Sequence, residues 1–122
     1  MSLEIESGDF VDSILNSIKK MLGIDLSYTS FDDELIMYIN SAFTTLNQLG
    51  IGKKGYSITS SSNVWTEFIE DLSNYQSVKM DVYLRVRQVF DPPTSSSVLD
   101  SISKLISEYD WRLMINSELD SE

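Results

Sequence analysis

Between Val89 and Ile102 the chain reads "VFDPPTSSSVLDSI", and the adjacent prolines inside it constrain the fold more than any other feature. A proline pushes the residue before it out of the α region, and its own nitrogen has no hydrogen to donate. A helix arriving from the N-terminal side must therefore end near Phe90 or Asp91. Thr94, Ser95 and Ser96 follow at once. Hydroxyl side chains of this kind accept from the free N–H groups that open a helix. The segment is a stop followed directly by a start.

The patterns on either side show what it joins. From about Asn74 to Phe90, Tyr75, Val78, Val82, Val86 and Val89 recur at three- and four-residue steps, with Tyr83 and Phe90 beside them. So many β-branched residues favour a strand. The helical spacing nevertheless persists for more than four turns, which is longer than an ordinary strand, and a helix is expected. Beyond the prolines, Val98, Ile102, Leu105, Ile106, Tyr109 and Leu113 mark the buried stripe of a last helix reaching about Asn116. A joint with so little slack fixes the angle between two long core helices.

Two further helices precede this pair. Asp9 to Leu22 carries Phe10, Val11, Ile14, Leu15, Ile18, Met21 and Leu22 in one stripe, with Ser7 or Asp9 as cap and Gly23 as stop. The next opens at "TSFDDELIMYIN", where Ser30 and Asp33 have the spacing of a capping box and Asp32, Asp33 and Glu34 suit the helix dipole. Leu35, Ile39, Ala42, Leu46 and Leu49 form its stripe, widened by Ile36 and Phe43, and Gly50 ends it. Residues 51–63 read as a long Gly/Ser-rich loop with one β-like piece at Tyr56–Thr59. A short helix from about Val64 to Asp71 turns Trp65, Phe68 and Ile69 inward. The expected fold is a single all-α domain over residues 1–122, a small bundle of about four to five helices, with residues 1–8 and 117–122 as flexible ends.

Two apolar residues fall outside these stripes. At about 100° per residue, Trp111 points about 180° away from Ile102 and aligns with Asp100, Lys104, Ser107 and Glu118. Packing beneath the long loop or the N-terminal segment is one account of it. A contact with another subunit is the other, since aromatic residues are enriched in interface cores. Met37, on a face shared with Asp33, Asn40, Ser41 and Thr44, poses the same question.

Composition narrows the chemistry. Among 122 residues there are 9 Lys and Arg against 19 Asp and Glu, a net charge of −10, with no His and no Cys. Proteins that bind nucleic acid neutralise phosphates with clustered cations, and here Lys19–Lys20 and Lys53–Lys54 are isolated pairs while Arg85 and Arg87 diverge around a helix. Without thiol or imidazole, disulfides and thiolate metal sites are excluded, and of the nucleophile–base pairs only an unaided Ser/Lys or Ser/Asp arrangement is left. "DDE" at residues 32–34 and "EFIED" at 67–71 are accounted for by a helix start and an exposed helix face. "GIGKKG" (Gly50–Gly55) has dinucleotide-type spacing but lacks the strand before it and the helix after it. No apolar run approaches the roughly 18 residues of a membrane span, and no basic-then-apolar leader opens the chain. An interaction module without catalysis, cofactor or metal is expected.

The stretches "ILNSIKKMLGID" (14–25), "YTSFDDELIMYINSAFTTLNQLGIG" (28–52), "VKMDVYLRVRQVFDPPTSSSVLDSI" (78–102) and "EYDWRL" (108–113), in this order, resemble the head–tail connector proteins of tailed bacteriophages and prophages. The variety is the one common in hosts with Gram-positive envelopes. The most distinctive part is a helix ending in Phe90-Asp91-Pro92-Pro93, followed by hydroxyl residues and a last helix carrying Trp111-Arg112-Leu113. The resemblance implies a helical adaptor of the virion's head–tail junction, assembled in the host cytoplasm. Its copies would form a homo-oligomeric ring under the portal protein, extend the DNA channel, and dock a head-completion, stopper or tail protein. DNA would pass without specific binding, which suits an acidic chain. On this reading Trp111, with Arg112 and Lys104 nearby, is expected at a subunit or partner contact. Met37 is a weaker candidate for the same role, the loop with Lys53 and Lys54 reaches toward a neighbour or the channel, and the tail after Asn116 docks. A free acidic regulator or DNA mimic binding a basic partner is the rival. Its carboxylates, though, are scattered at helix ends rather than set in phosphate-like rows.

Overall fold

A computed structural model describes residues 12–121 of the chain. Its four α-helices are α1 (Ile14–Leu22), α2 (Asp32–Gln48), α3 (Leu72–Val89) and α4 (Ser96–Ser121), with a 3₁₀ turn at Trp65–Glu67 in the long connection between α2 and α3. The all-α bundle expected from the periodicity is the fold observed, and no strand occurs among the described residues.

Helix α1 begins later than its pattern suggested, because Ser13 takes the cap and its Oγ accepts from the Asn16 N–H at 3.2 Å. Ser7, Asp9, Phe10 and Val11 lie outside the described residues. Gly23 closes the helix at φ +80°, a conformation that a side chain would strain. The capping box expected at Ser30 does not form. Phe31 occupies the cap without a side-chain bond, and α2 starts at Asp32. Asp32, the first residue of the helix, is held by Lys19 of α1 at 2.8 Å. Asp32, Asp33 and Glu34 do fill the first turn.

The connection from Gly50 to Asp71 is a loop packed into the core rather than over it. Ile51, Ile58, Trp65 and Phe68 are all buried. Asn40 of α2 clamps it, accepting from the Ile58 N–H at 2.7 Å and donating to the Ile58 carbonyl at 3.0 Å. That pairing takes the backbone groups a strand would have used, so Tyr56–Thr59 is not β structure. The helix expected over 64–71 is reduced to one turn, because the Phe68 carbonyl accepts from Lys53 N–H (2.8 Å) and Asp71 caps α3. At Gly52 the backbone (φ +79°) lies directly under the Phe68 ring, where an added Cβ would come within 2.1 Å of it.

The main core gathers Ile14, Leu15 and Ile18 of α1 with Leu35, Ile39, Phe43 and Leu46 of α2 and with Tyr75, Val78, Val82 and Val86 of α3. This explains why α3 is helical despite its valines. Each costs about 0.5 kcal/mol of intrinsic propensity, while burying each contributes about 1.5 kcal/mol or more. Phe43 is the aromatic hub, stacked on Phe68 at 4.1 Å and edge-on to Trp65 at 6.2 Å. The Trp65 indole N–H donates to Ser17 Oγ at 3.1 Å, so no polar atom of the ring is stranded.

At the corner, Phe90 is extended and Asp91 adopts φ +46°, so neither residue before the prolines is right-handed helical. Asp tolerates that region better than most side chains do. Ser95 then opens α4, its Oγ accepting from Val98 N–H at 3.4 Å and its carbonyl from Leu99 N–H at 3.1 Å. Helices α3 and α4 run antiparallel. Gln88 faces Ser103 at 3.1 Å and Asn74 faces Asn116 at 2.9 Å. Only Ile102, Ile106 and Leu113 of the α4 stripe are buried. Val98 and Leu105, expected inside, are exposed because they flank a contact face that rests on one helix only. Val89, expected inside, is 54% exposed, lying beside Phe31 rather than under it at an open groove. No glycine or proline stops α4 at Asn116, and it continues to Ser121.

Candidate interaction surface

The residues singled out in the sequence fall on three different elements. On α4, Trp111 is 66% exposed, and Lys104 lies exposed two turns before it. Met114, one turn on from Trp111, adds partly exposed apolar surface. Arg112 turns to the adjacent flank, where its guanidinium lies 5.5 Å from the Tyr109 ring centroid and 4.0 Å from Glu108. Met37 stands 61% exposed on α2 with Asp33, Ser41 and Thr44, while Asn40 has turned inward to clamp the loop. Lys53 and Lys54 are exposed at the head of that loop, close to the C-terminal end of α2. Among the described residues no hydrogen bond or ion pair joins these three groups.

A second surface has a weaker sequence signal. The exposed apolar residues Leu26, Tyr28, Phe31 and Val89 collect near the Phe90–Pro93 corner. Phe31 packs edge-on between Tyr28 (5.4 Å) and Phe90 (5.2 Å). Beside them lies a groove of about 530 Å³ walled by Leu22, Ile24, Phe31, Tyr38, Val89 and Phe90, with Glu34 and Asp91 on its rim. A cluster of aromatic and aliphatic side chains under an acidic rim suits a protein surface better than a small polar metabolite.

Buried polar groups fix both surfaces. Lys19, 1% exposed, extends its ammonium to Asp32 and to the carbonyls of Tyr28 (2.6 Å) and Leu26 (3.2 Å), so it holds the 23–31 connection that forms one groove wall. Between α3 and α4, Arg85 donates from Nε to Asp81 (2.7 Å) and from Nη2 to Asp110 (2.5 Å). Burial, and next the hydrogen bond with Asp110, pushes the Asp81 carboxyl far above the carboxylate range, against the pull of Arg85. In the loop, Tyr56 donates to Glu67 at 2.7 Å. This bond lowers the Glu67 carboxyl, while burial and the bond together raise the Tyr56 phenol. Sequence reading passed over Lys19 and Asp81. The available signal was position: Lys19 follows Leu15 by four residues on the apolar stripe, and Asp81 follows Val78 by three.

Among the described residues no group of three or more carboxylates is placed to hold a metal ion, and no helix is long and apolar enough to cross a membrane. What the geometry offers is exposed apolar surface on a helical bundle, held in place by buried ion pairs. The sequence model of the phage connector protein family matches residues 14–120, and the chain belongs to that family. The family is a structural one, and its role is that of a connector in the phage particle. No curated protein matches the chain, and no solved structure does.

Proposed function

We propose that the protein is the adaptor of a tailed phage's head–tail junction. Copies assemble into a closed ring beneath the portal protein, continue the DNA channel, and present the docking surface for a head-completion, stopper or tail protein. The observation that carries this is the family match over nearly the whole described chain, on a bundle that exposes apolar residues both on α4, at Trp111 and Met114, and at the corner groove, at Phe31 and Val89. A ring is closed by a heterologous contact, which requires two different faces on each subunit. Trp111 with Met114 on α4, flanked by Lys104 and Arg112, supplies one. The corner groove at Phe31 and Phe90, rimmed by Glu34 and Asp91, has the opposite charge and supplies the other. Lys53 and Lys54 reach toward a neighbour or the channel, Met37 borders a partner contact, and the end of α4 meets the next protein. The net charge of −10 keeps DNA from sticking to the conduit.

Labelled protein added to DNA-filled, tailless heads of the matching phage tests the reading. Retention of one ring of copies per head, lost when the portal vertex is removed, is the expected result. No retention by folded protein on heads with an exposed portal refutes it. The same assay with Trp111→Ala examines the proposed contact, and unchanged retention and partner binding by that variant would remove Trp111 from the interface.

A further inference from the structure

The α3–α4 joint holds two acids and one base. The antiparallel register that sets Gln88 against Ser103 and Asn74 against Asn116 sets Asp81 directly opposite Asp110. Arg85 binds one oxygen of each: Asp81 Oδ1 and Asp110 Oδ2. The other oxygens, Asp81 Oδ2 and Asp110 Oδ1, are buried and have no donor. Asp81 is fully enclosed, at 0% exposure. One enclosed carboxylate and one that is 21% exposed, set against a single guanidinium, leave one uncompensated negative charge and two buried unpaired acceptors, an arrangement that a low-dielectric site disfavours.

From this geometry we infer that Asp81 and Asp110 form a single proton-binding site that latches α4 to α3. One proton, taken from solvent onto either free oxygen, becomes an O–H donated to the other carboxylate. It satisfies both orphaned oxygens and leaves one carboxylate for Arg85, so the cluster becomes neutral. The charged groups acting on Asp81 are Arg85 from its own helix and Asp110 from α4, and α1 and α2 add none among the described residues. Asn74, Gln88, Ser103 and Asn116 along the same joint carry no charge, and Tyr83 and Tyr109 lie in the neighbouring apolar cluster. Asp81 is pushed up to about 8, burial being the largest cause and the hydrogen bond with Asp110 the next.

The latch sits midway along the α3–α4 joint, beside the apolar cluster of Leu84, Ile102 and Ile106 with Met80, Tyr83 and Tyr109 packed on it, while Leu113 reaches the main core. Asp110 immediately precedes Trp111, so the proton governs the seating of the turn that carries the exposed indole. Losing it puts a second negative charge into the joint and loosens α4. The direction follows from linkage: the folded chain keeps a proton that the unfolded chain releases. This contribution is complete below the ordinary Asp value of 3.8 and is lost as pH rises through the folded value near 8. The inference is independent of the ring and stands or falls without it.

The deciding measurement is the carbon NMR titration of aspartate carboxyl groups in the full chain from pH 3 to 10, assigned with Asp81→Asn and Asp110→Asn. A carboxyl resonance of Asp81 titrating more than two pH units above the ordinary value is expected, and Asp110→Asn should return it toward that value. If both titrate near 4 in the folded wild type, the shared proton does not exist. Urea unfolding supplies a second readout. Between pH 5 and 7 the wild-type unfolding constant should rise by up to tenfold per pH unit relative to Asp81→Asn, whose amide keeps the donor without titrating. Parallel profiles of the two proteins would overturn the inference.

Discussion

Replacing Lys19 by Met tests how the corner surface is built. The substitution keeps the unbranched stem that packs beneath α1 and removes only the ammonium. Three acceptors then lose their donor: Asp32, formerly at 2.8 Å, and the carbonyls of Tyr28 and Leu26, at 2.6 and 3.2 Å. Removing one partner of a buried pair costs about 3–5 kcal/mol, because the remaining charge stays desolvated. Asp32 is 24% exposed and water can reach it, so the lower end of that range applies, about 3 kcal/mol. With a urea slope of about 2 kcal/mol per molar for a domain of this size, the unfolding midpoint falls by about 1.5 M. The damage should be local first, with amides between Ile24 and Asp32 exchanging faster than those of α3. Pairing the change with Asp32→Leu removes the orphaned charge and should recover part of the loss, the Tyr28 and Leu26 carbonyls still lacking their donor. A midpoint shift below about 0.5 M, or a double variant as unstable as the sum of the singles, would show that Lys19 is not the anchor described here.

Gly52→Ala should cost about 2–4 kcal/mol in urea unfolding, since a Cβ meets the Phe68 ring within 2.1 Å and the backbone sits at φ +79°; a loss below 1 kcal/mol would mean Phe68 moves freely. Asn40→Ala removes both bonds to Ile58 and should cost about 2 kcal/mol while making residues 51–63 the first site of protease cleavage, with unchanged cleavage counting against the clamp. Trp65→Phe abolishes the indole bond to Ser17 and thins the Phe43 aromatic cluster, and a loss of about 2–3 kcal/mol is expected by thermal or urea unfolding. Trp111→Ala, at an exposed site, should leave the unfolding midpoint within about 0.5 kcal/mol of wild type, so any assembly defect it causes is a surface effect.

Much of the fold was legible because helical burial repeats every three to four residues and leaves its spacing in the chain. The valines of α3, the stop at Gly23, the acidic opening of α2 and the proline corner each follow from a local rule, and each is observed. Two of the errors share one cause. Tyr56–Thr59 was an adequate strand and Val64–Asp71 an adequate helix by local rules. In each case a partner distant in sequence claimed the backbone first: Asn40 at Ile58 and Lys53 at Phe68.

The functional surfaces divide in the same way. That Trp111 faces away from the α4 stripe is arithmetic on one helix, and the sequence by itself determined it. The corner groove required α1, α2 and α3 to meet, so Val89 read only as a core residue, and Phe31 carried no reading, until their surroundings existed. The opposition of Asp81 and Asp110 depends on the register of two helices, set by the Pro92–Pro93 turn and the packing of Leu84 against Ile102 and Ile106. Periodicity tells each residue which side of its own helix it occupies. Which residue it meets there depends on how the helices pack, and that decided where the buried charges and the exposed apolar surfaces lie.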